Sequence, residues 1–343
     1  MDSHNGVFLS FVIPVYNAEK TMRRCLDSIV TQMDMTGEPY EVICVDDGST
    51  DDSSRILDDY AAKHEEISVV HAANGGPSRA RERGVELARG RYIVFADSDD
   101  YYRDGSLSGI VRVVKSHDGI GMYIFGYCER NELDGPLAER KAILLAEGRQ
   151  STRDFLKAYA TPEHISLLNF LFNKVYRADV AKTARFDHDV TLGEDALYNY
   201  TCYAACPEVY MGGQTAYVYE NYSAHSLSRG RSLGEVWTAY KTIVQGIAPV
   251  LEQYGIDTQA QSLHAVYLIS VMHEYLRKPT TTPQDRQIAV GILNDGFNRA
   301  LSRSAVGRIG TVDSLMLCCA RRGWGRLGLS LCDMKRVRGR KTS

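Results

Sequence analysis

The sequence predicts an α/β protein with a mostly parallel sheet, flanking helices and a C-terminal α-helical region, and three observations predict it. Short β-rich apolar runs alternate with segments of helical periodicity from residue 7 to residue 96, the pattern of a parallel sheet with helices on its faces. Each run ends in a polar or glycine-rich loop. Beyond Arg231 the alternation gives way to helical periodicity alone.

The elements follow in order. Residues 8–14 form the first apolar run. Met22, Leu26, Ile29, Val30 and Met33 recur at spacings of three and four, one stripe of an amphipathic helix. Residues 42–45 return to strand, and Ser49 and Thr50 ahead of Asp51 and Asp52 signal the start of a helix carrying Ile56, Leu57 and Tyr60. A third strand covers 67–70. Pro77 suits the first turn of the next helix, which carries Ala80, Leu87 and Ala88 and is expected to stop at Gly90 with a left-handed backbone. Residues 92–96 are the fourth strand. Further along, 120–127 reads as strand and 152–159 as a short helix, and Glu194 and Asp195 lead into a helix beginning at Ala196. Residues 236–254 and 263–276 are helical, with a breaker at 278–283. We set a domain boundary near Gly230, giving 1–230, divided into halves 1–104 and 105–230, and a helical region 231–343.

Composition narrows the function. With 44% hydrophobic and 24% charged residues the chain is ordinarily globular, and a formal net charge of −3 argues against nucleic acid as a general partner. The eight cysteines show no zinc-ligand spacing, and Cys44 inside an apolar strand reads as a buried thiol. They suit a reducing cytosol. The N-terminal apolar stretch is interrupted by Pro14, so neither a signal peptide nor a membrane span is expected, and the chain is expected to be cytoplasmic, at most peripheral on the inner face of the plasma membrane.

Four loops converge on the carboxyl edge of the predicted sheet, where open α/β sheets bind ligands: Pro14-Val15-Tyr16-Asn17, Asp46-Asp47-Gly48-Ser49, Asn74-Gly75-Gly76-Pro77 and Asp97-Ser98-Asp99-Asp100. In the last, apolar Val94-Phe95-Ala96 delivers several carboxylates to one strand end. Carboxylates so close repel, and a hard divalent cation relieves the repulsion while bridging to phosphates. Taken alone the string serves equally well as a solvated turn capping the next helix.

In company the loops resemble glycosyltransferase family 2. The resembling segments are Ile13-Pro14-Val15-Tyr16-Asn17-Ala18, Val45-Asp46-Asp47-Gly48-Ser49-Thr50-Asp51, Asn74-Gly75-Gly76-Pro77-Ser78-Arg79-Ala80-Arg81 and Asp97-Ser98-Asp99-Asp100, in register across residues 8–104. Asn173-Lys174-Val175-Tyr176-Arg177 and Gly193-Glu194-Asp195 resemble the family's acceptor-side segments. The resemblance implies a GT-A fold, Rossmann-like, and an inverting, metal-dependent transfer of sugar from a nucleotide diphosphate donor, a UDP-sugar, to a glycan or lipid-linked hydroxyl in surface polysaccharide synthesis.

It also implies roles. Pro14, Val15, Tyr16, Asn17 and Ser98 line the donor, with Tyr16 either against the base plane or packed at the strand end. Asp47 accepts from the nucleobase imide, or else caps the following helix, for which Ser49 and Asp51 are also at hand. Arg81 contacts base or diphosphate, while Arg79 and Arg83 lie on other helix faces. Glu82 departs from the asparagine common in the family. Asp99 coordinates Mn²⁺ or Mg²⁺, Asp97 holds sugar or ribose hydroxyls, and Asp100 supports them. Asp195 is the catalytic base taking the acceptor's proton, with Glu194 orienting the site; without the resemblance this pair reads as acid complementing a helix N-terminus.

His225 sits in a loop resembling the segment that closes over the donor, and a solvated histidine serves there equally; Lys174 is either a surface charge or a phosphate contact. The tail carries Arg321, Arg322, Arg326, Lys335, Arg336, Arg338, Arg340 and Lys341 against Asp333, a segment 321–341 that suits an anionic membrane surface or a solvated terminus. Two other functions fit the fold class. A nucleotidyltransferase would carry a glycine- and Lys/Arg-rich triphosphate loop after its first strand, where Pro14-Val15-Tyr16-Asn17 stands here. A non-catalytic sugar-nucleotide or glycan-binding module would have lost the metal ligand or the base.

Overall fold

The computed structural model describes residues 6–131, 139–142, 146–161, 164–190, 192–221, 231–277, 281–301 and 311–339, so His225 lies outside the described residues. Strands run β1 (Leu9–Val15), β2 (Tyr40–Asp46), β3 (Ile67–His71), β4 (Tyr92–Phe95), β5 (Tyr101–Tyr102), β6 (Met122–Asn131), β7 (Glu139–Ala142), β8 (Gly148–Ser151), β9 (Lys174–Arg177) and β10 (Glu208–Asn221). They form one sheet in the order β3-β2-β1-β4-β9-β6-β10-β5, with β7 on β6 and β8 on β10. The first four strands are parallel, which carries their following loops to one edge. β9 runs antiparallel between β4 and β6 and joins the two halves of the sheet.

The inner parallel strands β1, β2 and β4 are buried on both faces, and all of β2 is buried, whereas the edge strand β3 is fully buried only at Ile67. The helix Met22–Thr36 turns its predicted stripe inward, with Met22, Leu26, Ile29 and Met33 fully buried. The helix Pro77–Leu87 begins on its proline and ends before Gly90, whose backbone is not left-handed as expected from the sequence. Glycine is required at 90 for a different reason. A Cβ there would stand 2.6 Å from Ser10 Oγ and 2.7 Å from Ser10 N, so the helix exit presses directly on β1.

The chain divides into two compact units. The first comprises 1–155, 166–189 and 194–227 and holds the sheet; the second comprises 156–165, 190–193 and 228–343. The second unit is helical: Leu233–Gln253, Asp257–Arg277, Pro283–Asn294, Thr311–Arg321 and Gly325–Gly339. Two of these helices open on capping boxes, Ser232 with Glu235 and Thr282 with Asp285, each pair satisfying two otherwise orphaned backbone amides. Their inward faces meet in a core of Trp237, Leu268, Met272, Tyr275, Leu293 and Met316. Among the described residues no helix is long and apolar enough to cross a membrane.

Candidate active site

The first two loops are stitched together before any ligand is considered. Asn17 adopts a left-handed backbone at φ 51°, a conformation Asn tolerates better than most residues. This turns its side chain onto the second loop, where its Oδ1 accepts from Thr50 N at 2.8 Å, while its own N–H donates to Ser49 Oγ at 3.1 Å. Ser53 Oγ accepts from Ala18 N at 2.7 Å and Asp51 Oδ2 from Glu19 N at 3.1 Å. Ser49 therefore ties loops together rather than capping the helix behind it. Tyr16 is 52% exposed and is not packed at the strand end.

Asp47 binds the third loop. Its two carboxylate oxygens accept from Gly75 N at 2.7 Å and Gly76 N at 2.8 Å, which fixes the glycine pair against the end of β2. It does not cap the helix that follows, Ser53–Ala61, whose N-cap is Asp52. Gly48 makes the approach possible: its φ is +73°, and a Cβ there would stand 2.9 Å from Asn74 N.

The acidic loop after β4 is anchored from behind by β10. Tyr217 Oη accepts from Asp97 N at 2.9 Å, and Asp100 Oδ1 accepts from Glu220 N at 2.8 Å. Asp100 is fully buried, and its Oδ2 has no hydrogen-bond partner among the described residues. Burial, reinforced by Asp99 and Asp97, holds its pKa well above the ordinary carboxylate range. Asp99 is reached by solvent but set among protein. Burial, then the Asp97 charge, pushes its pKa up to about 6, against a partial counter-effect of Arg24.

Arg81 gathers the rest. It lies buried on the Pro77–Leu87 helix, while its neighbours Arg79 and Arg83 are exposed on other faces. Its guanidinium donates to Asp97 Oδ1 at 2.8 Å and to Asp195 Oδ1 at 3.1 Å, and lies 3.8 Å from Glu194 Oε1. One cation thus holds an acid of the β4 loop and both acids at the start of the helix Glu194–Ala205. Burial nevertheless dominates Asp195. With Glu194 and Asp97 adding to it and Arg81 opposing it, its pKa is pushed up to about 7. A carboxylate of that basicity, a quarter exposed, can accept a proton near neutral pH.

Residues 10–182 match the model of "Glycosyl transferase family 2". The chain belongs to glycosyltransferase family 2. It is 30% identical over 217 residues to the uncharacterized glycosyltransferase EpsJ of Bacillus subtilis, covering 62% of this chain and 60% of that protein. It is also 30% identical over 219 residues to the poly(ribitol-phosphate) beta-glucosyltransferase of Bacillus spizizenii, covering 62% and 32%. The chain therefore spans less than two thirds of either relative. The crystal structure of S. aureus TarS 1-349 in complex with UDP-GlcNAc superposes with a TM-score of 0.73 over 96% of this chain and 92% of that one, at 18% identity, a likeness of fold.

Within this family 2 site the donor set suits a hard cation. Among the described residues no three His, Cys, Asp or Glu side chains form a closed ligand cluster. Mg²⁺ and Mn²⁺ do not need one, since they commonly take one or two carboxylates and complete their shell with water and phosphate. Asp99, oxygen-only, solvent-reachable and repelled by Asp97, could serve as such a ligand.

Several residues of the site carried no signal in the sequence. Arg24 donates to the Asp99 carbonyl at 3.0 Å and to Glu220 Oε1 at 2.8 Å, with its guanidinium 4.5 Å from the Tyr101 ring centroid. Arg130 reaches the same Glu220 at 3.3 Å and Tyr101 Oη at 2.7 Å. Only the position of Arg24 on the polar face of its helix hinted at exposure toward the edge. Lys174 is neither of the things expected of it: it is 1% exposed, and its ammonium donates to the carbonyls of Leu167 and Phe170 and to Asn173 Oδ1, so it braces the core. Glu82, where the family commonly has asparagine, pairs with His188.

Proposed function

We propose that the chain is an inverting, metal-dependent glycosyltransferase that moves a sugar from a UDP-sugar to a hydroxyl of a surface glycan or lipid-linked acceptor. The observation that carries the reading is Arg81, which brings Asp97 of the donor motif and the acids Glu194 and Asp195 into one site. Support for the donor comes from the fold shared with TarS, a protein crystallised with UDP-GlcNAc.

On this reading Asp47, already aligned by two glycine amides, accepts from the uracil imide on a remaining lone pair, as a carboxylate with four acceptor sites allows. Exposed Tyr16 stacks on the base. Pro14, Val15 and Asn17 shape the wall below it, and Asp97 and Ser98 meet hydroxyls of the sugar or ribose. Asp99 would hold Mn²⁺ or Mg²⁺, which supplies neutralisation of the departing diphosphate. Asp100 and its hydrogen bond to Glu220 N keep the loop that presents Asp99 in place. Asp195 removes the proton of the attacking hydroxyl on the face opposite the leaving group, Glu194 orients the helix start, and Arg81 keeps Asp195 aimed into the site. A cytoplasmic location belongs to this reading, and eight free cysteines suit a reducing compartment.

The test is a donor screen that reads nucleotide release with Mn²⁺, Mg²⁺ or chelator. UDP release that needs a divalent cation, and falls with Asp99→Ala and with Asp195→Ala, is the expected result. Turnover that survives chelation and Asp99→Ala removes the metal from the mechanism; transfer that survives Asp195→Ala removes the base.

A further inference from the structure

We infer that the turn joining the last two helices of the second unit is a docking surface for an anionic lipid bilayer, with Trp324 and Leu327 as its apolar centre and Arg322 and Arg326 as its fringe. The inference goes beyond the transfer reaction and stands independently of the donor.

The turn is built firmly. Arg322 N and Trp324 N both donate to the Cys319 carbonyl, at 3.1 and 2.8 Å, and Gly323 takes φ +71° to let the chain reverse. The inner side of the two helices is spent on the core, where Met316, Leu317, Ala320, Leu329 and Cys332 are buried. The outer side is not. Trp324 is 55% exposed and Leu327 53%, three residues apart at the start of the last helix, and Leu315 on the preceding helix is 49% exposed. Exposed tryptophan is not this chain's habit. The other tryptophan, Trp237, is 4% exposed and donates its indole N–H to Asp295 at 2.9 Å.

The charged residues flanking the pair along the chain are arginines. Arg322 lies with its guanidinium 5.4 Å from the Trp324 ring centroid, and Arg326 is exposed beside Leu327. From residue 314 onward the sequence carries Arg321, Arg322, Arg326, Lys335, Arg336, Arg338, Arg340 and Lys341 against Asp333 as the single acid. That acid is already engaged, since Asp333 Oδ2 accepts from Arg286 at 2.6 Å.

An indole with an arginine over its face, next to a leucine and a second arginine, matches the headgroup region of a bilayer. The rings and the leucine enter the acyl boundary, while the guanidinium groups stay with lipid phosphates. A rigid protein partner is less well served, because a stable interface buries on the order of 800 Å² per side and this centre is two side chains on a turn.

The experiment uses the full chain with vesicles of phosphatidylcholine alone or mixed with phosphatidylglycerol, read by co-sedimentation and by tryptophan emission. Trp237 is buried, so a blue shift reports Trp324. The expected result is sedimentation and a blue shift on the mixed vesicles only. R322Q/R326Q should weaken partitioning about twenty-five-fold, at about fivefold per basic residue near an anionic leaflet. W324A/L327A should weaken it about a hundredfold and abolish the shift, given the apolar area removed at about 25 cal/mol per Å². Both variants alter exposed positions, and unchanged thermal unfolding checks their fold. Equal binding to phosphatidylcholine, no binding to either vesicle, or full partitioning by both variants overturns the proposal. Retention on poly-glutamate without vesicle binding would assign the surface to an acidic protein instead, and a concentration-dependent dimer lost in W324A/L327A would assign it to a second copy.

Discussion

Replacing Arg81 by methionine removes the cation that faces three carboxylates, and the size of the effect follows from their burial. The Arg81 side chain is 8% exposed and lies 2.8 Å from Asp97, 3.1 Å from Asp195 and 3.8 Å from Glu194. Methionine keeps most of the aliphatic stem, so the loss is one of charge and hydrogen bonds. Breaking a buried pair by deleting one partner costs about 3–5 kcal/mol, because the remaining charge stays buried without compensation. At about 2–4 °C per kcal/mol, the variant should melt about 10 °C below the parent at pH 8. The pH dependence has a definite sign. Asp195 is pushed up to about 7 even with Arg81 opposing the rise, so removing Arg81 raises it further. A carboxyl whose folded pKa exceeds its unfolded value of 3.8 does not penalise the fold while protonated. It penalises the fold progressively as pH rises through the folded pKa. The deficit should therefore shrink as pH is lowered from 8 toward 5. Thermal unfolding of both proteins across that range is the assay. A deficit independent of pH, or no deficit at all, would refute the account of the cluster as one cation restraining several buried acids.

Other outcomes follow from the same geometry. Asp195→Asn should lower kcat by about 10²–10⁴ while leaving UDP affinity unchanged in calorimetry, and the parent's rate should fall as pH drops below about 7, where the base becomes protonated. Asp99→Ala and chelation should each abolish nucleotide release, and the variant should not be rescued by raising Mn²⁺. Gly48→Ala should destabilise the fold by about 1–3 kcal/mol and weaken UDP binding, since a side chain at φ +73° meets Asn74 N at 2.9 Å; denaturant titration and calorimetry check the two effects separately.

The parallel half of the sheet was legible because each of its strands is an apolar run bounded by turn residues, and the inner strands β1, β2 and β4 are buried on both faces, which leaves little to blur the signal. β10 was not. Its middle carries Gly212, Gly213 and Gln214, and the pairing with β6 shifts register between Met211 and Thr215, so no period of two runs through it. The glycines are there because β6 is close: a Cβ on Gly212 would stand 2.3 Å from Phe125. The acids of the site were legible as types at strand and helix ends. Their connection through Arg81 was not, since Asp195 lies 114 residues away from it in sequence and no local pattern encodes such a pair. Gly90 shows the complementary failure: a glycine at a helix exit suggested a backbone conformation, whereas contact with Ser10 is what requires it.

The charge inventory of the edge bears on how a nucleotide could settle there. Asp97, Asp99, Asp100, Glu194, Asp195 and Glu220 face Arg24, Arg81 and Arg130, and each arginine is already engaged with a carboxylate of this group. A diphosphate brought to this edge meets an acid excess, and Arg81 cannot turn to it without releasing Asp97 and Asp195. The pKa values of Asp99 and Asp195 are raised first by burial, with the neighbouring acids adding to it. Repulsion of this kind is relieved in two ways, by protons at low pH or by a cation arriving with the phosphates. Protonation would disarm Asp195 as a base. On the proposed reading, a divalent cation on Asp99 would relieve the repulsion without protonating Asp195 or drawing Arg81 away from it, so the proposed metal and the proposed base would be compatible in one site.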